Sequence, residues 1–212
     1  ATALTWTVYA GGVIEEGPDV TCDGAPDPLT GTVLESEPPA FRYQLGNPVV
    51  ATLDGFDHYL SWGMADLDDD GFDDLVIGAM WEGRVHVLAG PVQGALTPAD
   101  AMLTIQGAVD NDGLASWFGT AIAVLDVNAD GARDVVVAAP AEGEEACAGS
   151  QHPRVYLGPF AAGATLGEGD EAFELELAPG EIAFSCLGET VSCTADGLTL
   201  SSNDGPRCWT VP

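Results

Sequence analysis

Nine residues occur twice in this chain, sixty positions apart, and each copy constrains what can follow it. The first copy is Asp66-Leu67-Asp68-Asp69-Asp70-Gly71-Phe72-Asp73-Asp74, and the second is Asp126-Val127-Asn128-Ala129-Asp130-Gly131-Ala132-Arg133-Asp134. Both read D-x-[DN]-x-D-G-x-x-D. Side-chain oxygens at positions one, three, five and nine can converge on one point: Asp66, Asp68, Asp70 and Asp74, or Asp126, Asn128, Asp130 and Asp134. The backbone carbonyl at position seven, Phe72 or Ala132, can join them. Glycine at position six permits the sharp turn that draws these groups inward. Hard oxygen ligands in a flexible loop suit Ca²⁺ better than Mg²⁺, which demands a near-ideal octahedron and keeps its waters. The bland alternative is a pair of solvated Asp/Gly turns. Three or four negative charges on one short loop repel each other without a cation, so two Ca²⁺ sites are expected. Position twelve, where an EF-hand carries its glutamate, holds Ile77 and Val137. Apolar, β-branched runs follow at once: Leu75-Val76-Ile77-Gly78-Ala79 and Val135-Val136-Val137-Ala138-Ala139. A buried strand therefore follows each loop, and the helix of an EF-hand does not.

The loops also set the register of a longer repeat. Residues 58–65 and 118–125 precede them with the alternation of half-buried strands. Short strands are expected again at 84–91 and 154–159, and at 101–107 and 172–177. Four short antiparallel strands recurring at this spacing describe a propeller blade. Residues 6–12 read as the third strand of an earlier blade and 41–46 as its fourth, with a mobile Pro/Gly/acid-rich excursion over 13–40. Residues 187–193, 197–202 and 207–212 read as the first three strands of a further blade. Only Ala195-Asp196-Gly197 remains there of an aspartate loop, which is too short to hold a metal. The expectation is one all-β segment over 1–212, a partial propeller of about three to four blades. Its parts are a partial blade at 1–46, blades at 58–107 and 117–178, and a degenerate partial blade at 184–212.

The pattern resembles FG-GAP repeats, the blades of the integrin α-subunit β-propeller. Phe118-Gly119 matches the FG, Ala138-Ala139-Pro140 the GAP, and Gly78-Ala79-Met80 matches it less well. The first full blade departs from the family with His58-Tyr59 in place of FG. The likeness is good over residues 41–160 and weak in the flanks. It implies Ca²⁺ at the ten positions named above and ligand contacts at the end opposite the loops. By strand direction that end carries the acidic loop Glu142-Gly143-Glu144-Glu145-Ala146-Cys147. The expected role is a calcium-stabilised, non-catalytic scaffold for adhesion through a protein or glycan ligand. Two rivals are an accessory region of a secreted hydrolase or lyase and a self-assembling surface-layer or filament subunit. The resembled propellers close with seven blades, so missing blades from a longer chain, or a second copy, are expected to complete the arc.

Composition narrows the partners. The net charge is −29, with five arginines and no lysine. Nucleic acid and anionic membranes are therefore excluded as partners, and no apolar run is long enough to insert in a bilayer. The bland account of so acidic a surface is solubility in salt. With no initiator methionine and no signal peptide, the chain reads as a mature or excised segment. Five cysteines beside calcium loops point to an extracellular, oxidising setting, and an odd count leaves at least one either free or parted from its partner by truncation. Cys22 and Cys193 fall near the calcium end, and Cys147, Cys186 and Cys208 near the other. A disulfide Cys147–Cys186 or Cys186–Cys208 is the expectation.

Other candidates have weaker warrants. Asp110-Asn111-Asp112-Gly113 reads as a polar turn more readily than as a metal loop. His58, His86 and His152 share no ligand spacing, and His86 is expected to pack half-buried in mid-strand. Trp62, Trp81 and Trp117 are expected in core or interface packing, with sugar stacking as the alternative. No G-x-S-x-G, H-E-x-x-H or phosphate-loop motif is present.

Overall fold

In the computed structural model the described residues are 6–9, 13–14, 19–20, 25–34, 40–56, 59–107, 118–119, 121–138, 153–167, 169–174, 191–194, 197–202 and 205–209. The strands before the first aspartate loop are β1 (Trp6–Tyr9), β2 (Val13–Ile14), β3 (Leu29–Leu34), β4 (Ala40–Leu45), β5 (Ala51–Asp54) and β6 (Tyr59–Ala65). Between the loops lie β7 (Asp74–Ala79), β8 (Arg84–Leu88), β9 (Gly94–Leu96), β10 (Leu103–Gln106) and β11 (Ala121–Leu125). After the second loop come β12 (Asp134–Ala138), β13 (Arg154–Tyr156), β14 (Ala164–Leu166) and β15 (Phe173–Glu174). The last three are β16 (Val191–Thr194), β17 (Gly197–Ser202) and β18 (Gly205–Trp209).

Two four-stranded antiparallel units form around the loops, β6-β7-β8-β10 and β11-β12-β13-β15. They are the blades of a partial, all-β propeller. An earlier sheet, β2-β3-β4-β5, precedes them, and a meander of β16-β17-β18 follows. A strand from each full blade pairs in parallel with the outermost strand of the unit before it: β9 with β5, and β14 with β10. These strands sit in the connection between the third and fourth strands of their blades and tie neighbouring units together.

Two hydrophobic cores fill the gaps between sheets. The first joins Leu29, Tyr43, Leu45 and Leu53 of the earlier sheet to Leu60, Trp62, Leu75 and Ile77 of the first blade. The second joins Val76, Val85, Val87 and Ile105 of that blade to Phe118, Ile122, Val124, Val135 and Tyr156 of the next. Period-two geometry explains the apolar run of β7, because Leu75 and Ile77 point to one core and Val76 to the other. The innermost strand β6 is asymmetric. Leu60 and Trp62 fill the first core, whereas Ser61, Gly63 and Ala65 offer a low surface to the second blade. A Cβ on Gly63 would lie 3.2 Å from Val124. Small residues here let β11 come close.

The early part of the chain corrects three sequence expectations. Strand β1 pairs antiparallel with β6, so it belongs to the first full blade and is not the third strand of an earlier one. Residues 41–46 were expected as a fourth strand, but β4 lies between β3 and β5, and β5 is the outer strand. The excursion at 13–40 contains β2 and β3, the latter with Leu29 and Gly31 buried and Thr30 and Thr32 outward. Its β-branched residues and alternation favour a strand, whereas its flanking Pro, Gly and acidic residues suggest a loop.

Candidate metal centres in the twin aspartate loops

Each loop joins the first two strands of its blade, and the two share one backbone course. Asp69 and Gly71 have φ of 63° and 92°, and Ala129 and Gly131 have 60° and 95°. Aspartate tolerates the left-handed region through local hydrogen bonds, and alanine has no such help. Ala129 adopts it because bonds on either side fix the turn.

Those bonds are the same in both copies. Asp66 accepts from the N–H of Asp70 at 3.1 Å and of Gly71 at 2.9 Å, as Asp126 does from Asp130 and Gly131. Asp68 accepts from the Asp70 N–H at 3.2 Å, and Asn128 from the Asp130 N–H at 3.0 Å. Asp70 accepts from Phe72 and Asp130 from Ala132, both at 2.8 Å. Three turn N–H groups thus aim acceptor side chains across each loop instead of letting them stretch into water.

The position-nine aspartates are different in kind. Asp74 and Asp134 are fully buried. Asp74 accepts from the N–H of Leu67 and from that of Gly90, both at 2.8 Å. Asp134 accepts from Val127 at 2.7 Å and Gly158 at 3.0 Å. Each therefore ties its own loop to the start of the blade's third-to-fourth connection. Burial pushes both carboxyls above the usual carboxylate range, against the lowering effect of these N–H bonds; nearby Asp68 and Asp70, or Asp130 and Asp126, push the same way as burial. Asp130 is held below that range by the Ala132 N–H and then by the Asn128 amide, which donates to it at 2.9 Å.

Oxygens of Asp66, Asp68 and Asp74 lie within 4.8 Å of one another. An ion with oxygen ligands at ~2.4 Å requires its ligands no farther apart than about 4.8 Å, so this trio fits a hard cation. Asp70 stands outside the trio, with one oxygen on Phe72. In the second loop the matching positions are Asp126, Asn128 and Asp134, where an amide replaces one carboxylate. Phe72 and Ala132 hold position seven, and their N–H groups anchor Asp70 and Asp130.

Gly90 and Gly158 are contributors that motif reasoning overlooked. A Cβ on Gly90 would lie 2.6 Å from the Asp73 carbonyl and 2.8 Å from Phe72 Cβ; one on Gly158 would strike the Arg133 carbonyl. Only glycine lets the connection close over the loop and donate to the buried aspartate. The signal was the Gly-Pro pair after each third strand, Gly90-Pro91 and Gly158-Pro159.

Other sequence candidates fare variously. His86 is buried, 3.4 Å from Thr104 Oγ1 and 3.5 Å from Glu82, and edge-on to Phe56. It is more deeply buried than its mid-strand position suggests. Trp62 is in the first core, but Trp81 is 56% exposed, contrary to the packing expected of it. It lies in the tight turn between β7 and β8. His58, His152, Trp117, residues 110–113 and the loop 142–147 lie outside the described residues. So does every side chain of the expected disulfides, at Cys147, Cys186 and Cys208.

The two blades meet through a close backbone contact. Gly119 has φ of 90°, and its carbonyl accepts from the buried Ser61 hydroxyl at 2.7 Å. A Cβ on Gly78 would strike that carbonyl. Phe118 beside it is fully buried, edge-on to Tyr156 at 6.3 Å. Thus the Phe-Gly of one blade locks onto the Gly-Ala of the previous one, and the family model described as FG-GAP repeat matches residues 63–95 and 118–153. The chain carries two FG-GAP repeats. Among curated proteins it is similar to phosphatidylinositol-glycan-specific phospholipase D of Mus musculus, 38% identical over 109 residues, and of Homo sapiens, 38% over 111; each match covers 47% of this chain and 13% of the relative. The Bos taurus protein of the same name is 33% identical over 146 residues, covering 64% of this chain and 16% of the relative. The matches therefore span about a sixth or less of those proteins' length. Among the described residues, no helix is long and apolar enough to cross a membrane.

Proposed function

We propose that this FG-GAP segment is a calcium-clamped scaffold of an extracellular protein, without chemistry of its own. Two Ca²⁺ ions are held by Asp66, Asp68, Asp70, Asp74 and the Phe72 carbonyl, and by Asp126, Asn128, Asp130, Asp134 and the Ala132 carbonyl. The observation that carries this is the convergence of Asp66, Asp68 and Asp74, with a buried carboxylate at its base. When bound, the ion neutralises the crowded carboxylates and stabilises the folded form by mass action, by about 2.7 kcal/mol per site at a hundredfold excess over Kd. The clamped hairpins hold the opposite end of the arc for a protein or glycan ligand.

A second reading has support in the relatives. Three proteins with this stretch in common are named as phospholipases. The segment then serves as an accessory propeller of a secreted hydrolase whose reacting groups lie in other sequence.

Thermal unfolding with Ca²⁺, with Mg²⁺ and after chelation tests the clamp, and titration calorimetry counts the ions. A rise with Ca²⁺ alone, saturating at two ions per chain, is the expected result. An unchanged midpoint would reduce the loops to solvated turns. Turnover of a phosphatidylinositol-glycan substrate by this chain alone would overturn the non-catalytic assignment.

A further inference from the structure

The turn between β7 and β8 stands at the end of the first blade opposite its aspartate loop. Backbone bonds close it, from the Glu82 N–H to the Ala79 carbonyl at 3.1 Å and from the Gly83 N–H to the Met80 carbonyl at 3.2 Å. Gly83 takes a φ of 62°, and its own carbonyl accepts from the Gly107 N–H at 2.9 Å, which ties the turn to the end of β10. On this fixed turn sits Trp81, the most exposed of the large apolar side chains among the described residues.

Three polar side chains share this end of the blade. Arg84 and Gln106 are exposed and stand directly opposite each other on β8 and β10, so they lie on one sheet face. By the two-residue period it is also the face of His86 and Thr104. Glu82 reaches it too, with one oxygen 3.5 Å from His86 Nε2.

We propose that this end of the first blade binds a neutral sugar ring, with the Trp81 indole as the stacking platform and Glu82, Arg84 and Gln106 as partners for the hydroxyls. The assignment rests on the reading above that the end opposite the loops faces a ligand, and it selects glycan over protein. A pyranose has the complementary chemistry. Its C–H groups make an apolar, weakly positive face that lies on the negative face of an indole. Its rim of hydroxyls both donates and accepts, as a planar carboxylate, guanidinium and amide require. A protein partner needs a contiguous patch with several buried anchors. The other exposed large apolar residues among those described do not extend Trp81 into one: Phe72 is in the aspartate loop at the other end, and Val33 and Val49 belong to the earlier sheet. The net charge of −29 disfavours an acidic saccharide. Because the turn is fixed beforehand, binding orders little else.

The test uses the full chain with Ca²⁺ present and four neutral disaccharides as probes: α-mannobiose, chitobiose, cellobiose and lactose. Saturation-transfer NMR should show transfer to the ring C–H protons of at least one. Trp81→Ala should cut that transfer about fivefold or more, while its thermal midpoint stays within about 2 °C of the parent. Trp81→Phe should keep part of the transfer. As an independent readout, N-bromosuccinimide should oxidise Trp81 in the native chain, read by peptide mapping, and the bound disaccharide should slow that oxidation. Transfer to none of the four, or equal transfer from Trp81→Ala, would overturn the proposal and return this end to a protein ligand. Melting the same samples with and without chelator keeps the two readings apart. A chain that Ca²⁺ stabilises but that binds no sugar refutes only the present assignment. Sugar binding through Trp81 in a chain whose midpoint ignores chelation refutes the clamp and leaves the sugar site standing.

Discussion

The two aspartate loops are the same turn with one side chain of the motif changed, Asp68 for Asn128, and that change separates what builds the turn from what charges it. Every backbone-to-side-chain bond of the first loop has its counterpart in the second. Asn128 accepts from the Asp130 N–H as Asp68 does from the Asp70 N–H, so the turn needs an oxygen at position three and no charge. The charge has a different consequence. Asp68 adds to the field on buried Asp74, whereas Asn128 turns its amide toward Asp130 and quiets it. In the second loop Asp130 and Asp126 supply the corresponding push on buried Asp134.

The glycines that close each loop should give the largest effects. Gly90→Ala and Gly158→Ala force backbone apart, and each should cost about 3 kcal/mol. Gly158→Ala should be the worse, because its Cβ strikes the Arg133 carbonyl directly. Chemical denaturation in saturating Ca²⁺ ranks them. Equal, negligible losses would show that the connections do not seal the loops.

Next come the buried acceptors. Asp74→Ala and Asp134→Ala each strand two backbone N–H groups, for a loss of about 2–4 kcal/mol even in chelator. If the loss appears only with Ca²⁺ present, the carboxylates are ligands and not structural pins.

Exchanging the differing ligand should convert one loop toward the other. Asn128→Asp should tighten Ca²⁺ at the second site, and Asp68→Asn should loosen the first, each by roughly tenfold. Calorimetry on the two variants reads this directly. Shifts of the same sign in both would show that charge at position three does not set affinity.

The smallest effect is in pH. Asp74 and Asp134 have folded-state values raised above the ordinary one, mainly by burial. Between the unfolded value near 4 and the raised one, the folded chain holds more protons. Their contribution to stability therefore declines as pH rises through that window in chelator. Relative to Asp74→Asn, the parent's midpoint should fall as pH goes from about 4 to 7. Ca²⁺ affinity should move the opposite way, because protons compete for the same oxygens. A midpoint gap that is flat in pH would show that folding leaves the Asp74 carboxyl unshifted.

Much of this was open to sequence reasoning because it is local. A D-x-[DN]-x-D-G-x-x-D turn is made by bonds spanning two to seven residues, and β7 and β12 follow it because β-branched residues fit a strand buried on both faces. Phe118-Gly119 was legible as a motif, but its task was not, since the Ser61 hydroxyl that it meets is 58 residues away. Gly90 and Gly158 were visible as recurring Gly-Pro pairs with no stated role, because the carbonyls they approach belong to a loop more than fifteen residues earlier.

The sequence by itself determined the loops, the strands that flank them and the repeat that joins them, through contacts short enough to leave a period in the chain. Tertiary structure alone decided that β1 adds to β6 and that β9 and β14 fasten each unit to the one before. Those outcomes depend on which edge and which face a neighbour leaves open. A strand's own residues set its alternation, but the partner that covers it is chosen only when the sheets pack.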